Sequence, residues 1–155
     1  MAVTMADVFS QAKRSAVMAR IRSQGNRATE QVLAALFRRH GFTGWRRRQA
    51  VFGKPDFIFR QLRLAVFVDG CFWHACPRHG TLPAGNRAFW RRKFAANQAR
   101  DRRVNQTLRR RGWRVLRIWE HELTRKNEPQ LLRRLHQKLA PVPLKKSKTG
   151  KRSRR

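Results

Sequence analysis

The chain has 155 residues, 41% of them hydrophobic, enough for one domain with a buried core. Its charge is unusual, with 38 Lys and Arg against 8 Asp and Glu, a formal net charge of +30. Such a basic surface calls for a polyanion, nucleic acid before membrane, because no apolar run approaches the roughly 18 residues that span a bilayer.

Residues 1–9 read as an N-terminal extension, 10–140 as the folded domain, and 141–155, which include KKSKTGKRSRR, as a disordered basic tail. No signal-like apolar segment opens the sequence, so a cytosolic location is expected, where two cysteines serve as thiols or metal ligands. Ala12, Val17, Met18 and Ile21 recur at helical spacing and predict a short basic helix over 10–21. Asn26 is suited to cap a second helix running to about His40, with Val32, Leu33, Leu36 and Phe37 on its buried face and Gly41 as its stop.

Three strands are then expected: a polar edge over 45–51, a second over 56–59, and a third over 64–68, whose LAVFV is apolar enough to be buried on both faces. RQLR between the last two allows a hairpin. After a Cys/His-rich loop over 70–85, a long helix is predicted over 87–111, with Phe89, Trp90, Phe94, Val104 and Leu108 on its apolar side. WRVLRIW, over 113–119, alternates as a fourth strand. Asn127, Glu128 and Pro129 open a last helix carrying Leu131, Leu132, Leu135 and Leu139. This order predicts an α/β fold, one mixed sheet flanked by helices.

With so few carboxylates each one is a candidate: Asp7, Glu30, Asp56, Asp69, Asp101, Glu120, Glu122 and Glu128. In GKPDF a proline fixes the backbone before Asp56 at the start of a strand, where an acid among many cations can hold a divalent metal against a phosphodiester. Asp69 falls near the place of a second acid on the next strand, but the lysine that often follows such an acid in nucleases is absent. Glu30, taken alone, reads as a solvated helix position.

Cys71, Cys76 and His79 form C-x₄-C-x₂-H, three ligands of a tetrahedral zinc site, against the plainer reading of buried thiols and exposed imidazoles. His121 is the expected fourth, because a strand beside LAVFV would carry IWEH to the loop. His74, two residues from Cys76, cannot easily join them and is left as a candidate general base. Phe72, Trp73 and Trp90 are either core or rings presented to a base stack.

DGCFWH, with PDF before it, NRAFWRRKFAANQARDRR after it and GWRVLRIWEHEL further on, resembles the very short patch repair (Vsr) DNA mismatch endonucleases, over about residues 5–139. The resemblance implies a restriction-endonuclease-like fold with a structural zinc loop. It implies a bacterial enzyme, nucleoid-associated when acting, that nicks duplex DNA 5′ of the thymine in T·G mismatches left by deamination of 5-methylcytosine. By position it gives catalytic Mg²⁺ to Asp56 and to the backbone carbonyl of Val68, the catalytic imidazole to His74, and an acid near the metal to Glu30. Structural Zn²⁺ falls to Cys71, Cys76, His79 and His121, and the role of Asp69 is left open between orienting His74, steadying a metal-bound water, or neither. Phe72, Trp73 and Trp90 match rings that wedge open the DNA; Met18 and Ile21 match a helix in the minor groove, and Asn97 lies in the DNA-contacting stretch. Mismatched duplex and mismatch-repair proteins are the implied partners, and an asymmetric lesion suits a monomer. The rivals are a non-enzymatic basic DNA-binding protein and a restriction-like endonuclease that cuts both strands.

Overall fold

A computed structural model of the protein describes residues 27–140. The expected basic helix with Met18 and Ile21, the Asn26 cap, the N-terminal extension and the basic tail lie outside the described residues.

A π-helical turn, Arg27–Gln31, leads into helix α1, Val32–Arg39. Strands β1 (Trp45–Arg46), β2 (Phe57–Phe59) and β3 (Leu64–Asp69) follow, then helix α2 (Arg87–Arg110) and strand β4 (Arg114–Trp119). A 3₁₀ turn, Glu120–Leu123, precedes helix α3, Glu128–Leu139. The four strands form one sheet in the order β1-β2-β3-β4. The first three are antiparallel and β4 runs parallel to β3, so the sheet is mixed.

Alternation along β3 sorts the core into two layers. Leu64 and Val66 face α1 and α3, where they pack with Leu33, Phe37, Phe57, Phe59, Leu131 and Leu135. Ala65 and Phe67 face the other way, against Val104 and Leu108 of α2. Phe37 is fully buried and meets Phe42, Phe57 and Phe59 edge-on at centroid distances of 5.3–5.9 Å. Truncating such a ring costs roughly 3–5 kcal/mol. Among the described residues no helix is long and apolar enough to cross a membrane.

Three expectations need correction. The first strand is paired only at Trp45 and Arg46, because Arg48 takes a left-handed φ of 53° and turns the chain away from the sheet. Val32 is 38% exposed, because the regular helix begins at that residue and its inward face is taken by Leu33, Ala34, Leu36 and Phe37. Phe89, in the first turn of α2, is 44% exposed rather than packed on the sheet. Gly41 stops α1 as expected, with a φ of 68° that a side-chain-bearing residue adopts at a cost.

Candidate functional site

Topology gathers the chemistry at one end of the sheet. Strands β3 and β4 are parallel and finish together, at Asp69 and Trp119. Strand β2 is antiparallel to β3, so the residue before β2, Asp56, lies at the same end. The Cys/His loop leaves from β3 there, and the turn carrying His121 leaves from β4.

Asp56 is fixed from across the sheet: its Oδ2 accepts a hydrogen bond from the Val68 N–H at 2.8 Å. The N–H and C=O of one extended residue point to the same side of a strand, so the Val68 carbonyl faces Asp56 as well. Burial, helped by the nearby Glu30 and Asp69, lifts the Asp56 carboxyl to about 7 against the Val68 hydrogen bond and Arg47. Glu30 is not solvated. It is 5% exposed and ion-paired with Arg47.

Asp69, at the end of β3, is buried on the α2 side, and both its oxygens accept from Arg117 Nη1, at 2.7 and 2.8 Å. Burial raises its pKa, while Arg117 and His74 pull the other way. His74 turns its Nδ1 to Asp101 Oδ2 at 2.5 Å and stands 3.7 Å from Asp69 Oδ1. Burial alone would raise Asp101, but the His74 hydrogen bond and the charges of Arg117 and Arg100 outweigh it and hold the carboxyl below its ordinary value. Asp101 is therefore an acceptor, which makes Nδ1 the protonated nitrogen of His74 and leaves Nε2 for chemistry.

Asp56, Asp69, His74 and Asp101 line one open cleft of about 490 Å³, with Lys54 and Arg100 also on its walls. In a chain carrying 38 cationic side chains, three of the eight carboxylates meet here. The structure thus brings Asp56, Asp69 and His74 together as the sequence suggested. It adds two residues the sequence did not single out for a role. Asp101 belonged to the short roster of acids, which was the only signal for it. Arg117 was one Arg among many and carried none.

Beside the cleft, Cys71, Cys76, His79 and His121 present ligand atoms that all lie within 4.8 Å of one another. Cys71 Sγ is 3.2 Å and Cys76 Sγ 3.6 Å from His121 Nδ1, and Cys76 Sγ is 3.9 Å from His79 Nδ1. A zinc ion about 2.3 Å from sulfur and about 2.0 Å from nitrogen sets tetrahedral S···N edges near 3.5 Å, so the group fits a metal of that size. Both cysteines are free thiols. Burial and the neighbouring Cys76 push Cys71 up, while burial and His79 push His121 down, so without a metal both groups favour their neutral forms. The loop doubles back tightly enough that a Cβ on Gly80 would meet the Cys76 carbonyl oxygen at 2.6 Å. The Cys71 N–H donates to Glu120 Oε2 at 3.2 Å, tying the loop to the β4 turn a second time.

Between the metal-type cluster and His74 sit Phe72 and Trp73. They form a half-buried aromatic group with Trp90 and Phe94 of α2, Phe72 lying 5.1–5.4 Å from each of the other three rings. Phe89 extends this group outward from Trp90 at 5.3 Å. Asn97 spends its amide on the Trp73 carbonyl, donating at 2.8 Å, so it braces the loop from α2.

The sequence model of one family, DNA mismatch endonuclease Vsr, matches residues 6–78. The chain is 39% identical over 119 residues to the DNA mismatch endonuclease Vsr of Escherichia coli (strain K12), covering 75% of this chain and 74% of that protein. It is 38% identical over 122 residues to the type II nicking enzyme V.XorIIP of Xanthomonas oryzae pv. oryzae (strain KACC10331 / KXO85), covering 77% and 88%. A match to the type II nicking enzyme V.NaeI of Lentzea aerocolonigenes is 56% identical over 69 residues but spans only 44% of this chain and 42% of that enzyme. Enzymes named for cutting DNA are thus what the chain is similar to along most of its length. It belongs to the Vsr family of DNA mismatch endonucleases.

Proposed function

We propose that this protein is a Mg²⁺-dependent, strand-specific DNA nickase of restriction-endonuclease-like fold, cutting 5′ of the thymine in T·G mismatches, with Zn²⁺ on Cys71, Cys76, His79 and His121 as a structural brace. One observation carries the reading: Asp56 and His74, from different elements, line the same open cleft. A divalent cation suits Asp56, because burial, with Glu30 and Asp69 nearby, lifts its carboxyl to about 7, and a bound cation would offset both effects. Asp56 and the Val68 carbonyl would hold Mg²⁺, which when bound neutralises charge developing on the phosphate.

The rest is work for the chain's own groups. Asp101 holds Nδ1 of His74, so Nε2 is available to take a proton from the attacking water. Lys54 and Arg100, on the cleft walls, receive the phosphodiester backbone. Phe72, Trp73 and Trp90, packed against one another and braced by Asn97, supply the wedge that unstacks the mismatched step. The products are a 3′-hydroxyl and a 5′-phosphate.

The test is a nicking assay on end-labelled T·G and T·A duplexes with Mg²⁺ or EDTA. The reading expects one cut, on the thymine strand of the T·G duplex, only with Mg²⁺. Retardation without cutting would leave a DNA-binding protein, and cutting of both strands would leave a restriction-like enzyme.

A further inference from the structure

Two carboxylates compete for one imidazole in the cleft, and something must decide between them. Asp101 Oδ2 is 2.5 Å and Asp69 Oδ1 3.7 Å from His74 Nδ1. Arg117, on β4 between them, spends its whole fork on the decision. Nη1 takes both oxygens of Asp69, Nη2 takes Asp101 Oδ1 at 3.1 Å, and Nε takes Asn105 Oδ1 at 3.1 Å. Its guanidinium carbon lies 4.7 Å from the Phe67 ring centroid, which fixes the plane of the fork. Asp69 is left with neither oxygen free of Arg117, and Asp101 with one oxygen facing His74.

We propose that Arg117 is a positioning residue for the nicking reaction: it ties down Asp69 and turns Asp101 so that His74 is held by Asp101 alone, with Nε2 directed to the reacting phosphate. The inference rests on the function proposed above. Arg117 acts through Asp101 and touches no reacting atom. A lysine cannot replace it, because a point charge does not grip two carboxylates in fixed orientation.

The experiment compares R117M, R117K and the double variant D69N/R117M with the zinc-loaded wild type, in single-turnover nicking of the T·G duplex and, without Mg²⁺, in the low-field Nδ1–H proton resonance of His74, assigned by its loss in H74N. In R117M a freed Asp69 competes for the imidazole. The nicking rate should fall about 10- to 100-fold, on the scale of general-base losses, with KM for the duplex within about threefold of wild type. The Nδ1–H resonance should shift or broaden. R117K should resemble R117M. D69N/R117M removes both the competitor and the unpaired buried charge, so it should fold even where R117M does not, bring the resonance back toward its wild-type position and nick at least about fivefold faster than R117M. A wild-type rate and resonance in R117M would overturn the proposal, as would a folded double variant no faster than the single one. Failure of the wild type itself to nick T·G duplex would instead remove the reading beneath, while the resonance still reports whether Arg117 governs His74.

Discussion

Two clusters of polar residues share one end of the sheet and differ in almost every property. The Cys/His cluster draws three of its four members from within nine residues, closes on itself, and offers soft ligands at tetrahedral spacing. The acidic cleft draws Asp56, Asp69, His74, Asp101 and Arg117 from three strand segments, a loop and α2, stays open, and offers hard oxygen ligands beside Lys54 and Arg100. The difference divides the labour. A closed site suits bracing, and an open one with a buried carboxylate suits a metal that shares its coordination with a substrate. The short stretch from Cys71 to Cys76 joins them, so the place of His74 is tied to that of the Cys/His cluster.

The comparison can be broken most forcefully at Asp56. D56A should lower the nicking rate by about 10³-fold or more while T·G duplex binding and zinc content stay as in wild type. Gel retardation and metal analysis beside the nicking assay check all three. C76S should do the opposite to the other cluster: zinc is lost, the melting transition falls by several kcal/mol equivalent, and nicking fails because the loop no longer delivers His74. An unchanged melt with full zinc content would remove Cys76 from the ligand set.

D101N sharpens the comparison inside the cleft. It leaves the shape but removes the acceptor that fixes the His74 tautomer, so single-turnover nicking should slow by about 10²-fold with KM little changed. The smallest effect is on stability without Mg²⁺. Asp56 has a folded-state pKa of about 7 against an ordinary 3.8, so the native state binds more protons between those values. Stability from this group is therefore full below about pH 4, declines as pH rises toward 7, and is level above it. D56N abolishes that decline, so at pH 8 it should melt above the metal-free wild type by up to a few kcal/mol equivalent, with little difference at pH 4. A wild-type melt flat from pH 4 to 8 would contradict this.

Much of this was legible in the sequence, for reasons that differ by region. LAVFV and the leucines of the last helix announced the two-layer core, because burial periodicity is local. The Cys/His set was legible because its spacing is local too, and His121 followed from expecting its strand beside β3. The Asp69–Arg117–Asp101–His74 network was not, because its contacts bridge 16 to 48 positions and depend on which side of the sheet each residue faces. Glu30 was misread for a related reason: its partner Arg47 arrives from a segment 17 positions away, whose geometry depends on the bend after β1. For Phe72, Trp73 and Trp90 the choice between core and exposed wedge has an intermediate answer, a half-buried cluster at the rim.

The most direct test of the central arrangement is paramagnetic. Mn²⁺ titrated into the zinc-loaded protein, with the histidine ring signals observed by NMR, should broaden His74 first, should leave His136 on α3 sharp, and should have no such effect in D56N. Equal broadening of all histidines, or a sharp His74 at saturating Mn²⁺, would mean that the imidazole and the aspartate do not serve one site.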